Sequence, residues 1–111
     1  MVEYIDTLNQ TFRALSDPTR RGMLESLRAG PMTVGALAEP LPISFAATSK
    51  HITALEEADL IRREKRGRER ICHLRPGRLD EVKTWLDRHA YWITALAKLE
   101  EALTEEDATD E

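Results

Sequence analysis

Cysteine is nearly absent from this chain: Cys72 stands alone, so no intramolecular disulfide and no cysteine-rich metal knuckle can form. Long apolar runs are missing too, and none approaches the roughly 20 residues needed to cross a bilayer. The opening residues, Met1-Val2-Glu3-Tyr4-Ile5-Asp6, lack the basic-then-apolar layout of a signal peptide. These absences lead to the expectation of a cytoplasmic protein with no membrane partner. Catalytic machinery is equally scarce. The three histidines, His51, His73 and His89, fall on three different expected elements, with no glycine-rich phosphate loop and no Ser–His–Asp or Cys–His arrangement. Neither an enzyme nor a cofactor is expected.

What is present suffices for one small domain. The 111 residues match a single domain in length, and a hydrophobic fraction of 41% fills one modest core. Net charge is −4, which on its face disfavours a polyanionic partner. Its distribution reverses that impression. Residues 62–78 hold eight basic side chains against Glu64 and Glu69, a local +6, so the remainder carries −10. Five of those negative charges lie in 105–111. A local basic footprint matters more to a nucleic acid than whole-chain charge does, although a solvated charged hairpin would look the same.

Periodicity and capping signals divide the chain. Ile5, Leu8, Phe12 and Leu15 stand at helical spacing in a first helix. Asp17-Pro18 starts a second, because Asp accepts from unpaired N–H groups and Pro has none to leave unpaired. Met23, Leu24 and Leu27 face inward, and Gly30-Pro31 ends the element. Thr33 caps a short third helix carrying Val34, Leu37 and Ala38. After the stiff link Pro40-Leu41-Pro42, Ser44 caps a fourth that runs to about Ala58, with Ala47, Thr48, Ile52 and Leu55 inward. Segments 60–65 and 70–75, joined through Gly67, form a β-hairpin with Cys72 and Leu74 on one face and Ile71 and His73 on the other. A long last helix spans about 79–103. Its Val82, Trp85, His89, Trp92, Leu96, Leu99 and Leu103 alternate steps of three and four, a heptad seam broadened by Leu86 and Ile93. Residues 1–104 are expected to form one domain, and 105–111 an acidic, disordered tail.

The fold expected is mainly α with a small β-hairpin, in the order α-α-α-α-β-β-α: a winged helix-turn-helix that dimerises through its terminal helices. The helix opened by Ser44 suits the major groove, where base edges carry distinct donor and acceptor patterns. Its solvent-side residues are Phe45, Ala46, Ser49, Lys50 and Thr53. Ser49 and Thr53 can bond bases or phosphates, Lys50 a guanine edge or a phosphate, and Phe45 can press on a thymine methyl. Ser44 serves as a cap alone or also meets phosphate. Phe45 either packs in the turn or meets a partner. The tip residues Lys65, Arg66, Gly67 and Arg68, with Arg70 beside them, suit a minor groove or backbone.

Three segments in this order resemble the ArsR family of small winged-helix repressors: FRALSDPTRRGMLESL from Phe12, ATSKHITALEEADLI from Ala47, and EKRGRERICHLRP from Glu64. The likeness runs from about Leu8 to Leu103. It implies a homodimeric repressor of a pseudo-palindromic double-stranded DNA operator. The DNA contacts it implies come from Ser44, Phe45, Ser49, Lys50 and the wing arginines, and dimerisation from the first and last helices, with Ile5, Leu8, Trp85, His89, Trp92, Leu96 and Leu99 as interface residues. Position 45 departs from the family, which often has a polar residue there. The cysteine motif of the metal-sensing branch is also missing, since 34–39 contain no Cys. Asp87 and His89 resemble half of a second family metal site; with Glu100 they are weak candidates for a cation, against a plain polar role for His89 in the dimer seam. The effector is not identified, and Cys72 is read as structural rather than as a redox switch.

A reading from another class stays open: a winged-helix adaptor that binds protein through Phe45 and the Trp-rich last helix, without DNA. The +6 stretch separates the two, because an adaptor has little use for it.

Overall fold

In a computed structural model of the chain, the backbone is described for residues 2–109 and the side chains for 3–105. The elements run α1 (Val2–Leu15), α2 (Pro18–Leu27), β1 (Met32–Thr33), α3 (Val34–Ala38), α4 (Phe45–Glu57), β2 (Ile61–Arg66), β3 (Glu69–Leu74) and α5 (Gly77–Thr109). Two units can be distinguished, one ending at Asp80 and the other beginning at Glu81.

The first unit is organised by its caps. Asp17 accepts from the backbone N–H groups of Thr19 (2.8 Å) and Arg20 (3.1 Å), with Pro18 opening the helix as anticipated. Those bonds, the one from the Arg20 N–H above all, hold the Asp17 carboxyl below the usual carboxylate range. Across the same corner Arg20 donates to the carbonyls of Ala14 (2.8 Å) and Arg13 (3.1 Å), and Arg21 to Leu15 (2.6 Å). One short stretch thus starts α2 and closes the open carbonyls of α1.

The core gathers Ala14, Met23, Leu24, Leu27, Leu37, Ile52, Leu55, Ala58, Leu60, Ile61 and Cys72 from α1 to α4 and the hairpin. The α1 stripe differs from the one the spacing suggested. Leu8, Thr11 and Ala14 are buried, while Tyr4, Ile5 and Phe12 stay exposed. Thr11 tolerates burial because its hydroxyl donates to the Thr7 carbonyl at 3.1 Å.

Three antiparallel strands form the sheet, in the order β1-β3-β2. The two-residue β1, absent from the expected order, pairs Met32 with Cys72 and Thr33 with Ile71. In the hairpin Ile61 faces Leu74 and Arg66 faces Glu69, so the strands lie one residue from the segments anticipated. Gly67 takes φ 64 at the first of two turn positions, the glycine site of a type II′ turn.

Helix α4 ends in a motif the residue types did not announce. Asp59 adopts φ 58, its N–H bonds the Glu56 carbonyl at 3.0 Å, and the Leu60 N–H bonds Leu55 at 3.0 Å. This is a Schellman closure with aspartate where glycine is usual, completed by buried Leu55 and Leu60.

The second unit is the remainder of α5. The helix begins at Gly77 rather than near Leu79 and continues to Thr109, beyond the Leu103 end inferred from periodicity. The backbone of 105–109, expected to be irregular, is therefore helical; helix-favouring Glu and Ala propagate an existing helix at little cost. Residues 110–111 of that acidic segment lie outside the described residues. No helix among the described residues is long and apolar enough to cross a membrane.

Candidate nucleic-acid interface

Helix α4 is placed by what it buries. Thr48, Ile52 and Leu55 are almost wholly enclosed, and Thr48 satisfies its hydroxyl on the Ser44 carbonyl at 3.1 Å. The opposite side is left to solvent. Phe45 is 64% exposed, Ala46 and Lys50 are exposed, and Ser49 and Thr53 are partly so. Ser44 is the cap, its oxygen accepting from Ala47 N–H at 3.1 Å. Its hydroxyl hydrogen remains available to an acceptor. Phe45, for which packing in the turn was the alternative, presents its ring outward.

Strand alternation sorts the wing charges into two sets. Ile61 and Cys72 are buried on one face, so Arg63, Lys65 and Arg70 continue that face toward the tip. Arg62, Glu64 and Arg66 occupy the other face of β2, alongside Ile71 and His73 of β3. Arg66 therefore does not share a face with Arg70. Its Nε stands 3.4 Å from a Glu64 oxygen, and that carboxylate is 3.7 Å from His73 Nε2.

Helix and wing meet at a groove of about 510 Å³, lined by Phe45 and Ser49 from α4, Arg63, Arg68, Glu69 and Arg70 from the hairpin, and Thr33, Val34 and Gly35 at the start of α3. Four of the residues singled out from sequence, Phe45, Ser49, Arg68 and Arg70, come together here. On the same strand face, Lys65 lies directly across from Arg70, and like charges so placed repel.

Arg63 was counted in the charge but not assigned a task. Its guanidinium meets the Glu56 carboxylate twice, at 2.8 Å and 3.1 Å, and so ties the end of α4 to β2. The Arg63 hydrogen bonds hold Glu56 below the usual carboxylate range, and reciprocally Glu56 raises the Arg63 pKa. His51, on α4, accepts at Nδ1 from Arg20 at 3.4 Å and lies 4.0 Å from Asp17. His51 thus joins the α1–α2 corner rather than the exposed face. Cys72 is fully buried, and burial pushes its thiol above its usual pKa, a setting that suppresses thiolate chemistry.

On α5, Trp92, Leu96 and Leu99 are more than half exposed, as are Leu86, Tyr91, Ile93 and Leu103. Trp85 is partly exposed and stacks on His89, with ring centroids 4.3 Å apart, while His89 Nδ1 donates to the Trp85 carbonyl at 2.7 Å. Of the α1 residues proposed for the interface, Ile5 is exposed. Leu8 departs from that expectation: it is 7% exposed in the single chain, which leaves little surface for a partner. Among the described residues, no three His, Cys, Asp or Glu side chains gather where a metal ion could be held, so Asp87, His89 and Glu100 do not converge within one chain.

A short helix, a turn, an exposed second helix and a basic hairpin in this order define a winged helix-turn-helix protein. Comparison with known proteins agrees. A helix-turn-helix domain model matches residues 15–64. The chain is 40% identical over 88 residues to the HTH-type transcriptional regulator Rv2034 of Mycobacterium tuberculosis, a match covering 79% of this chain and 80% of that protein. Over 79 residues it is 35% identical to the transcriptional repressor SdpR of Bacillus subtilis, covering 71% and 88% respectively. Among solved structures, the ArsR family transcriptional regulator RHA00566 superposes with a TM-score of 0.74 at 40% identity, covering 78% of this chain and 91% of that one. An ArsR-like transcriptional regulator from Rhodococcus sp. RHA1 gives 0.72 at 33% identity, covering 87% and 92%. The chain belongs to the ArsR family of DNA-binding winged helix-turn-helix transcriptional regulators. That family consists of regulators rather than enzymes.

Proposed function

We propose that the protein is a homodimeric repressor that reads a pseudo-palindromic operator with the exposed face of α4 and clamps the flanking backbone with its wing. The observation that carries this reading is the shared groove, where Phe45 and Ser49 of α4 face Arg68 and Arg70 of the hairpin. In this arrangement Ser44, Phe45, Ala46, Ser49, Lys50 and Thr53 meet the major groove, with Phe45 against a thymine methyl and Lys50 on a guanine edge or phosphate. Arg68 and Arg70 take the backbone or minor groove at the tip, with Arg66 on the outer face. The repressor assignment follows the printed function of SdpR.

Dimerisation is supported by the apolar surface left uncovered on α5 and by exposed Ile5 on α1. Large apolar side chains exposed in such number along one helix are what a protein–protein contact surface would present. Residues 1–104 hold all the groups assigned to DNA and dimer contacts, and the acidic 105–111 holds none of them. The site is accordingly proposed to work without a metal, in a protein of the cytoplasm.

The test joins the two claims. Leu96→Glu with Leu99→Glu should give a monomer in sedimentation that still folds but binds a two-half-site duplex at least tenfold more weakly, since two linked half-sites reinforce each other strongly. A variant that stays dimeric moves the interface off α5. A wild-type protein with no affinity for its own upstream DNA at low salt would favour the protein-binding adaptor.

A further inference from the structure

We propose that Phe45 makes this protein a reader of pyrimidine C5-methyl groups, so that 5-methylcytosine is recognised at a position where thymine is. The proposal rests on α4 as the helix that enters the major groove, and names what that helix selects there. Phe45 is 64% exposed, and among the described residues of the first unit no large apolar side chain is more exposed. It is the first residue of α4, directly after the Ser44 cap, and the opening turn of a recognition helix is the part that reaches base edges. Its ring offers no hydrogen-bonding group. The one apolar group that a base pair presents in the major groove is the thymine C5-methyl.

The rest of α4 sharpens this dependence. The helix reads FAATSKHITALEE and holds no Asn, Gln or Arg, three of the side chains that bond a base edge through two atoms. Lys50 is its one lysine, and its two carboxylates, Glu56 and Glu57, stand at the far end. A helix so short of bidentate readers draws a larger share of its base discrimination from the apolar contact. Phe45 shares its groove with Val34 of α3, while Arg68 and Arg70 line it from the hairpin. An apolar wall beside cations suits a duplex, whose base edges carry methyl groups and whose backbone carries phosphates.

5-Methylcytosine carries its methyl on the same ring carbon as thymine and on the same groove edge, and it still pairs with guanine. A phenyl ring that senses only that methyl accepts either base. Uracil and unmodified cytosine lack the methyl and leave the ring without its contact. Losing one buried methyl costs about fourfold in affinity. A dimer with one such contact in each half-site loses the square of that, about 15-fold.

The test takes the full chain and the tightest duplex it selects from a random-sequence library, at fixed salt. Remade with deoxyuridine for every thymidine, that duplex should bind the wild type about 15-fold more weakly. Phe45→Ala lies outside the core and should keep the wild-type circular dichroism. It should bind the thymine and uracil forms alike to within about twofold. Phe45→Leu, which keeps an apolar side chain, should retain a preference for the thymine form. Single deoxyuridine substitutions then locate the contacted position. With a C·G pair placed there in both half-sites, C5-methylation of that cytosine should raise wild-type affinity about 15-fold and leave Phe45→Ala unmoved. The proposal is overturned if deoxyuridine costs the wild type less than about twofold, if the loss is undiminished in Phe45→Ala, or if methylated cytosine is bound no better than cytosine. A selection that returns no duplex defeats the DNA reading and this proposal with it. Tight binding without a methyl effect defeats the proposal alone.

Discussion

The Glu56–Arg63 pair fixes the wing to α4, and Glu56→Gln tests how firmly. Two charge-assisted bonds at 2.8 Å and 3.1 Å are lost or weakened. The side chains keep 37% and 31% of their exposure, so solvent screens the pair. Exposed pairs contribute about 0.2–1 kcal/mol, and the bidentate geometry places this one near 1 kcal/mol. In a domain of this size that corresponds to a drop in Tm of about 4 °C. The pH dependence has a definite sign. The folded pKa of Glu56 is lowered by Arg63, so the stabilisation is complete above the unfolded value of about 4.3 and fades as pH falls through the folded one. Urea denaturation of wild type and Glu56→Gln from pH 7 downward should show a constant gap to about pH 5 that closes below about pH 4. A gap under about 0.2 kcal/mol at pH 7, or one that persists in acid, would refute the assignment. The same change frees the Arg63 guanidinium at the edge of the groove, so DNA affinity should become steeper in salt by about 0.9 per protomer.

Two further outcomes follow from the caps and the core. Asp17→Ala removes an N-cap with two backbone partners and should cost about 1 kcal/mol in urea denaturation, with Asp17→Ser recovering most of the loss. Cys72, fully buried with its thiol pKa raised by burial, should resist a thiol-specific reagent in the native protein and react at once in denaturant; rapid labelling of folded protein would contradict its structural role.

Features governed by neighbours in the chain were legible in the sequence. Asp17, Thr33 and Ser44 are caps because their side chains satisfy N–H groups two or three residues ahead, and Gly67 marks the turn. The inward set Thr48, Ile52 and Leu55 follows from helical spacing alone. Features set by long-range geometry were not legible. The strand Met32–Thr33 is too short for any period and exists only because β3 passes beside it. Arg20, Arg21 and Arg63 read simply as positive charge, yet each is committed to specific oxygens seven or fewer residues away along the chain. Asp59 carries no glycine signal for its positive φ. The separation of Arg66 from Arg70 depends on strand register, which the residue types left undetermined. On α1, two apolar faces overlap in one helix, and spacing alone did not tell the buried Leu8 from the exposed Ile5.

The central claim is that α4 and the wing tip form one DNA-binding surface, and the salt dependence of operator affinity tests it most directly. Arg68→Ala with Arg70→Ala removes four cations from a dimer. If each neutralises a phosphate, the slope of log K against log salt should fall by about 3.6. Between 50 and 200 mM salt, the wild type should then lose about 150-fold more affinity than the variant does, on operator and unrelated duplex alike. An unchanged slope, with affinity intact on both duplexes, would contradict the account.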